Sequence, residues 1–63
     1  MKFGTALKNQ LKQEGMSVDN LAEKLGVTKQ AVHSWIRGET KPAQEKLPVI
    51  RKETGLNLNE LEF

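Results

Sequence analysis

The 63-residue sequence contains no cysteine, so disulfide bonds and thiolate metal sites are excluded. No uninterrupted apolar run exceeds two residues (proline not counted), which argues against a membrane-spanning helix or a secretory leader. There is one histidine, no tyrosine and no glycine-rich phosphate loop, and so short a chain has little room for a substrate cleft. We therefore expect a cytoplasmic protein that is not an enzyme and has no cofactor, metal or small-molecule substrate.

The composition is that of one small globular domain, with 37% apolar and 29% charged residues. The formal net charge is only +2, but the basic excess is confined to one part of the chain. Residues 1–41 hold seven Lys/Arg and four Asp/Glu, whereas residues 42–63 hold three and four. This distribution points weakly to a polyanionic partner, and an ordinary solvated surface explains it equally well.

The pattern of glycines predicts an all-α fold. A glycine follows each of four segments of roughly eight to twelve residues, the usual position after a helix end. No segment alternates apolar and polar residues over more than a few positions, which disfavours strands. The four glycines are Gly15, Gly26, Gly38 and Gly55. We predict a compact five-helix domain over residues 1–63, with a helix-turn-helix at about 18–37.

The helix boundaries follow from capping and proline positions. The first helix is expected over residues 3–14, and Ser17 and Thr28 are good N-caps for helices that end at Leu25 and Arg37. Pro48 best fits a first turn, so the fourth helix is expected to begin near Lys46 or Leu47. Asn57 can cap a short fifth helix carrying Leu58 and Leu61.

The connection between the second and third helices is very short. Only residues 26–28 separate them, and glycine at the left-handed position of such a turn makes the two helices cross steeply. Val27 is then expected to pack into the angle between the helices.

The third helix divides into two sides of opposite chemistry. At about 100° per residue, its polar side chains fall within one arc of about 140° and its apolar side chains within the opposite arc. The polar arc contains Lys29, Gln30, His33, Ser34 and Arg37, and the apolar arc contains Ala31, Val32, Trp35 and Ile36. Trp35 is therefore expected in the core rather than stacked on a base.

The polar arc has the chemistry of a base-reading surface. Lysine can donate to guanine O6 and N7, glutamine can pair with adenine N6 and N7, and serine can donate or accept. Lys29 and Gln30 lie in the first turn, the end that enters the major groove in helix-turn-helix proteins. A solvated helix surface would also be polar, but the short glycine turn and the lack of an acid favour a DNA contact.

Residues 21–38, LAEKLGVTKQAVHSWIRG, closely resemble the helix-turn-helix of the lambda-type phage repressor and Cro family. Pro42, Leu47, Ile50 and Leu61 extend the resemblance over nearly the whole chain. It implies a repressor that binds double-stranded operator DNA as a two-fold dimer.

The resemblance also assigns roles to individual residues. By position, Lys29, Gln30 and Ser34 fall where family members contact bases, Thr28 and Lys41 fall near phosphates, and His33 lies outward on the same helix. Arg37 joins this DNA-binding set from the polar arc. Two departures are clear: Val18 stands where relatives often have a phosphate-binding glutamine, and the apolar pair Leu11 and Ile36 replaces an ion pair found in some relatives.

The C-terminal segment is unusually apolar for its length. It carries Leu56, Leu58, Leu61 and Phe63, and a monomer of this size can hardly bury all four. An exposed apolar patch usually marks an interface, so we assign these four residues to a weak homodimer that tightens on DNA.

Two other functions remain open from the sequence. An antitoxin or a controller of a restriction–modification operon would have the same fold and also bind DNA. A protein-interaction module without DNA binding would be expected to carry neutral or acidic chemistry on the third helix, which the sequence does not show.

Overall fold

The computed structural model describes residues 2–58 and 61. Within them the chain forms four α-helices and one short 3-10 helix. The elements are α1 (Phe3–Glu14), α2 (Val18–Leu25), α3 (Lys29–Arg37), the 3-10 helix Gln44–Lys46 and α4 (Leu47–Thr54). The described residues contain no β-strand, in agreement with the all-α prediction.

The ends of the helices are set by the local signals that the sequence predicts. The Ser17 hydroxyl accepts a hydrogen bond from the Asn20 backbone N–H, and Thr28 caps α3 in the same way through Ala31 N–H. Each capping hydroxyl satisfies a donor that has no partner within the helix. All four predicted glycines adopt a positive φ directly after a helix.

The predicted count of five helices is wrong for the described residues, which contain four. After Gly55, Leu58 has 3-10 conformation and Leu61 N–H donates a hydrogen bond to Leu58 C=O at 3.4 Å. A helix nucleus fixes several residues for a single bond, so a segment of about one turn gains too little to propagate. Residues 59 and 60, on which the predicted fifth helix also falls, lie outside the described residues.

The core lies between α1, α2, α3 and α4, and α3 packs against both α1 and α2. The most deeply buried large apolar side chains of the core are Leu7, Leu21, Val32 and Ile50. Trp35 is 5% exposed, which confirms its predicted place in the core. α3 therefore rests on a firm apolar base that determines which of its sides faces outward.

A close approach of α1 and α3 depends on Gly4, which the sequence analysis did not single out. A Cβ atom at this position would lie 2.5 Å from the carbonyl oxygens of both Trp35 and Ile36. No side chain larger than hydrogen fits there, because both neighbours are backbone atoms. Gly4 thus lets the first turn of α1 contact the last turn of α3.

Candidate nucleic-acid interface

The outer surface of α3 collects the predicted contact residues on one side of the molecule. Lys29, Gln30, His33 and Arg37 are exposed, and Ser34 is half-buried. The opposite side of the helix packs against the core through Val32 and Trp35, with Ala31 and Ile36 partly buried. The predicted division of the helix is confirmed, because the apolar residues are the ones that lose water on folding.

The turn before α3 is held in place by the rest of the domain. Gly26 has φ 72°, a conformation that side-chain-bearing residues rarely adopt, and Val27 packs against the core as predicted. The Lys46 ammonium donates a hydrogen bond to the Leu25 carbonyl oxygen at 3.0 Å. This cation caps the negative end of α2 at the point where the turn begins.

A second contact joins the end of α2 to α4. Lys24 Nζ lies 3.5 Å from Glu53 Oε2. Neither this contact nor that of Lys46 was predicted, because each joins residues more than twenty positions apart and no local pattern pairs them. Together they join the end of α2, where the turn to α3 begins, to the 3-10 helix and to α4.

The loop after α3 folds back onto its last turn. The Glu39 backbone N–H donates to the Ser34 carbonyl oxygen at 3.0 Å, and the Thr40 hydroxyl donates to Ser34 Oγ at 2.8 Å. These bonds place the loop beside the outer surface of α3. Thr40 is therefore a member of this surface that the sequence analysis missed, since it lies outside the helical wheel.

The same loop brings a carboxylate to the surface. Glu39 Oε1 accepts a hydrogen bond from the Arg37 guanidinium at 3.1 Å, and both side chains are more than half exposed. The hydrogen bond and the positive charge of Arg37 lower the pKa of Glu39 below its ordinary value. α3 itself carries no acidic residue, but Arg37, its last cation, is paired with Glu39 just beyond the end of the helix.

A cavity of about 400 Å³ lies between the first turn of α1 and the loop after α3. Polar groups from both sides line it, among them the cations Lys2, Arg37 and Lys41. Lys41, predicted to lie near phosphates, is therefore close to the end of α3. Lys2 extends the positively charged border from the other side of the cavity.

The C-terminal apolar residues divide between core and surface. Leu56 is 8% exposed and belongs to the core, which corrects its assignment to a dimer surface: a side chain already covered by its own subunit has no apolar area left to offer. Leu58 and Leu61 are half-buried and pack against the edge of the core. Phe63, the fourth predicted dimer residue, lies outside the described residues.

The residues at which the sequence departs from the resemblance contribute to apolar packing. Val18 is partly buried and packs against the core at the first residue of α2. Leu11 is buried and Ile36 is partly buried against the core, so both positions that the resemblance relates to an ion pair are filled by apolar side chains. Replacing a buried ion pair by packed apolar groups is often neutral or stabilising.

Two capped helices joined by a three-residue glycine turn, with a cationic outer surface on the second, define a helix-turn-helix DNA-binding domain. A family model described as helix-turn-helix matches residues 7–61, and the chain belongs to this Cro/C1-type family. The family consists of DNA-binding transcription regulators rather than enzymes. None of the curated proteins matches the chain.

Two features that would indicate other roles are membrane-spanning helices and groups of metal-binding side chains. Among the described residues, no helix has the length and apolar character needed to cross a membrane. Within the same part of the chain, no three histidine or acidic side chains are grouped so that they could hold a metal ion.

Proposed function

We propose that the protein is a sequence-specific transcriptional repressor that binds a palindromic operator in double-stranded DNA with α3 in the major groove. The observation that carries this proposal is the exposed surface of α3. Its side chains are two cations, an imidazole, an amide and a hydroxyl, and none is an acid. A protein bound in this way would block a promoter sterically.

Two residues at the start of α3 are the proposed base readers. Lys29 and Gln30 are exposed in the first turn, next to the Thr28 cap. That end of the second helix is the one that enters the groove in helix-turn-helix proteins. Ser34 lies one turn further along the same side and is the third proposed base contact.

The remaining predicted site residues surround these three and are suited to phosphate. Lys41 and Arg37 line the cavity at the end of α3, and Thr28 lies at the helix start. His33 is exposed between them. Contacts to phosphate fix the register of the protein on DNA and supply most of the salt-dependent affinity.

Selection of bound sequences from a random DNA pool, followed by affinity measurements over a range of salt concentrations, tests the proposal. We expect a palindromic site that binds at least about a thousand-fold more tightly than random DNA, with affinity falling as salt rises. Equal binding to all sequences would contradict sequence-specific repression. A protein-interaction module without a DNA role would show no salt-dependent affinity for DNA.

A charge-matched pair of variants separates the interface from general attraction. Lys29→Ala and Lys52→Ala each remove one positive charge, but Lys52 is exposed on α4 and is not one of the proposed DNA-binding residues. Only Lys29→Ala is expected to reduce the preference for the selected site. An equal effect of the two substitutions would show that net charge, not α3, controls binding.

The dimer proposed here is weak in solution and uses Leu58 and Leu61, and the assignment of Phe63 to it remains a prediction from the sequence. One apolar side chain contributes about 1.5–3 kcal/mol on full burial, while association costs at least about 4 kcal/mol in lost freedom. Both residues are already half-buried, so little area remains and DNA must hold the subunits in register. Two half-sites one DNA turn apart would place the two α3 helices about 34 Å apart.

Leu58→Asp tests this surface. We expect the variant to lose cooperative binding to the full palindrome and to keep its affinity for an isolated half-site, because one subunit reads each half. Half-site binding also shows that the variant is folded. Cooperative binding of the full site by Leu58→Asp would place the dimer contact elsewhere.

A further inference from the structure

The cavity of about 400 Å³ at the end of α3 has an apolar floor and a polar rim. Its floor contains the buried side chains of Phe3 and Trp35. Gly4 keeps its two sides close together, because only a hydrogen atom fits between α1 and the last carbonyl groups of α3. The polar residues of the rim are all exposed and come from two elements: Lys2 and Thr5 at the start of α1, and Arg37, Glu39, Thr40 and Lys41 at the end of α3 and in the loop after it.

The rim carries more positive charge than its own acid balances. Arg37 is paired with Glu39 at 3.1 Å, so these two charges largely compensate each other. Neither the Lys2 nor the Lys41 ammonium group forms an ion pair or a hydrogen bond with a described residue. Two cations from distant parts of the chain therefore border one concave surface. Charge is screened less in such a concavity than in bulk water, so the attraction for an anion is stronger there.

Two groups at the cavity oppose an anion, and both are partly compensated within the protein. One is the Glu39 carboxylate, which accepts its hydrogen bond from Arg37. The other is the negative end of α3. The carbonyl oxygens of Ser34 and Trp35 already accept hydrogen bonds from the backbone N–H groups of the two residues that follow the helix. The charges of the two lysines are therefore the main uncompensated feature of the rim.

We propose that this cavity binds a phosphate group between Lys2 and Lys41, with the Thr5 hydroxyl as a further donor. A phosphate group suits these residues because its several oxygens can accept from two ammonium groups and one hydroxyl at the same time. The proposal adds the start of α1 to the phosphate-binding residues. The phosphate can belong to the backbone of operator DNA or to a small phosphate ester. The first source rests on the proposed function, and the second does not.

The first arm of the test uses inorganic phosphate without DNA. It follows the fluorescence of Trp35, the only tryptophan, which lines the cavity. Sodium chloride at equal ionic strength is the reference. Where phosphate gives a saturable change, Lys2→Gln and Lys41→Gln should each weaken its binding by about twofold to fivefold, the range for exposed charge pairs. Lys8→Gln removes one exposed charge from α1 outside the cavity and should leave phosphate binding unchanged.

The second arm measures affinity for a duplex that carries the selected site. Lys2→Gln and Lys41→Gln should each lower this affinity and make it fall less steeply as salt rises. Since both residues bind one phosphate, the double variant should lose less than the product of the two single losses. One uncharged methylphosphonate, placed in turn at each backbone position, should identify a position at which neither substitution has a further effect.

Lys2→Gln combined with Lys8→Gln is the matched control for the second arm. The losses of this pair should multiply, because Lys8 does not line the cavity. Circular dichroism checks that every variant is folded, and exposed lysines far from the core are expected to change stability little.

A saturable response to phosphate that Lys2→Gln weakens more than Lys8→Gln assigns the site to free phosphate. Losses in the second arm that fail to multiply assign it to the DNA backbone. The inference is overturned when neither result is obtained, that is, when Lys2→Gln affects phosphate binding no more than Lys8→Gln and its loss on DNA is absent or multiplies with that of Lys41→Gln. A wild type that does not bind DNA would contradict the proposed function and leave the first arm to decide this inference.

Discussion

Arg37 shows how a single neighbour changes the role of a residue. Counted from the sequence it is a free cation on the DNA-binding surface, but Glu39 accepts its hydrogen bond at 3.1 Å. A glutamate is ionised near neutral pH, and the lowered pKa of Glu39 keeps this carboxylate charged to more acidic pH. The pair is complete above the ordinary pKa of glutamate and is lost only as the pH falls through the lowered value.

Glu39→Gln is therefore expected to strengthen DNA binding by a few fold. The substitution frees Arg37 for phosphate and removes a negative charge that phosphates repel. Glu14→Gln is the matched control, because it removes the same charge from an exposed residue at the end of α1 and keeps the oxygen that accepts from Gln10. The affinities of both variants and the wild type for DNA are compared at one fixed salt concentration. Weaker binding by Glu39→Gln would show that Glu39 helps to position Arg37.

Gln30 gives the second prediction at this scale. It is exposed in the first turn of α3, so Gln30→Ala should weaken binding to the selected site by about 1–3 kcal/mol. The loss should relax the preference at one base pair per half-site. If affinity for random DNA falls equally, Gln30 contacts only the backbone of DNA.

At the scale of elements, the turn between α2 and α3 depends on a contact from a later part of the chain. The conformation of its glycine and the helix caps beside it depend on neighbouring residues in the chain. Lys46, in contrast, donates to the Leu25 carbonyl oxygen from the 3-10 helix before α4. The direction of α3 is thus determined partly by a residue that follows it in sequence.

Lys46→Met tests this contact. Methionine keeps the length of the side chain and loses the donor, so we expect the free energy of unfolding to fall by about 1 kcal/mol, less than for a fully buried charged hydrogen bond. Lys52→Met, on the exposed surface of α4, is expected to change it by less than about 0.5 kcal/mol. Urea denaturation of both variants makes the comparison, and equal effects would mean that the contact with Leu25 contributes nothing.

The whole molecule has a small core in which Trp35 is the largest side chain. Removing a buried aromatic group costs about 3–5 kcal/mol, and domains of this size have little more in total. Trp35→Ala is therefore expected to be largely unfolded at 37 °C by circular dichroism. His33→Ala, on the opposite side of α3, is the control and should unfold like the wild type. A cooperative thermal transition in Trp35→Ala at the wild-type temperature would place Trp35 outside the core.

The helix boundaries could be predicted from the sequence because they depend on neighbours in the chain. The ranges predicted for α1, α2 and α3 match the structure, and Pro48 lies in the first turn of α4 as expected. A hydroxyl cap acts within three residues, and a glycine ends the helix it follows. The outward side of α3 could be predicted for the same reason, since apolar side chains at helical spacing share one surface.

Tertiary structure alone decided the contacts between residues that no local pattern pairs. The contacts of Thr40 with Ser34, of Lys46 with Leu25 and of Gly4 with the end of α3 follow no local pattern. The place of Leu56 in the core was likewise decided by packing, because an apolar residue suits a core and an interface equally well. Local sequence determines which elements form and which sides are apolar, whereas the surroundings of each polar group depend on how the elements meet.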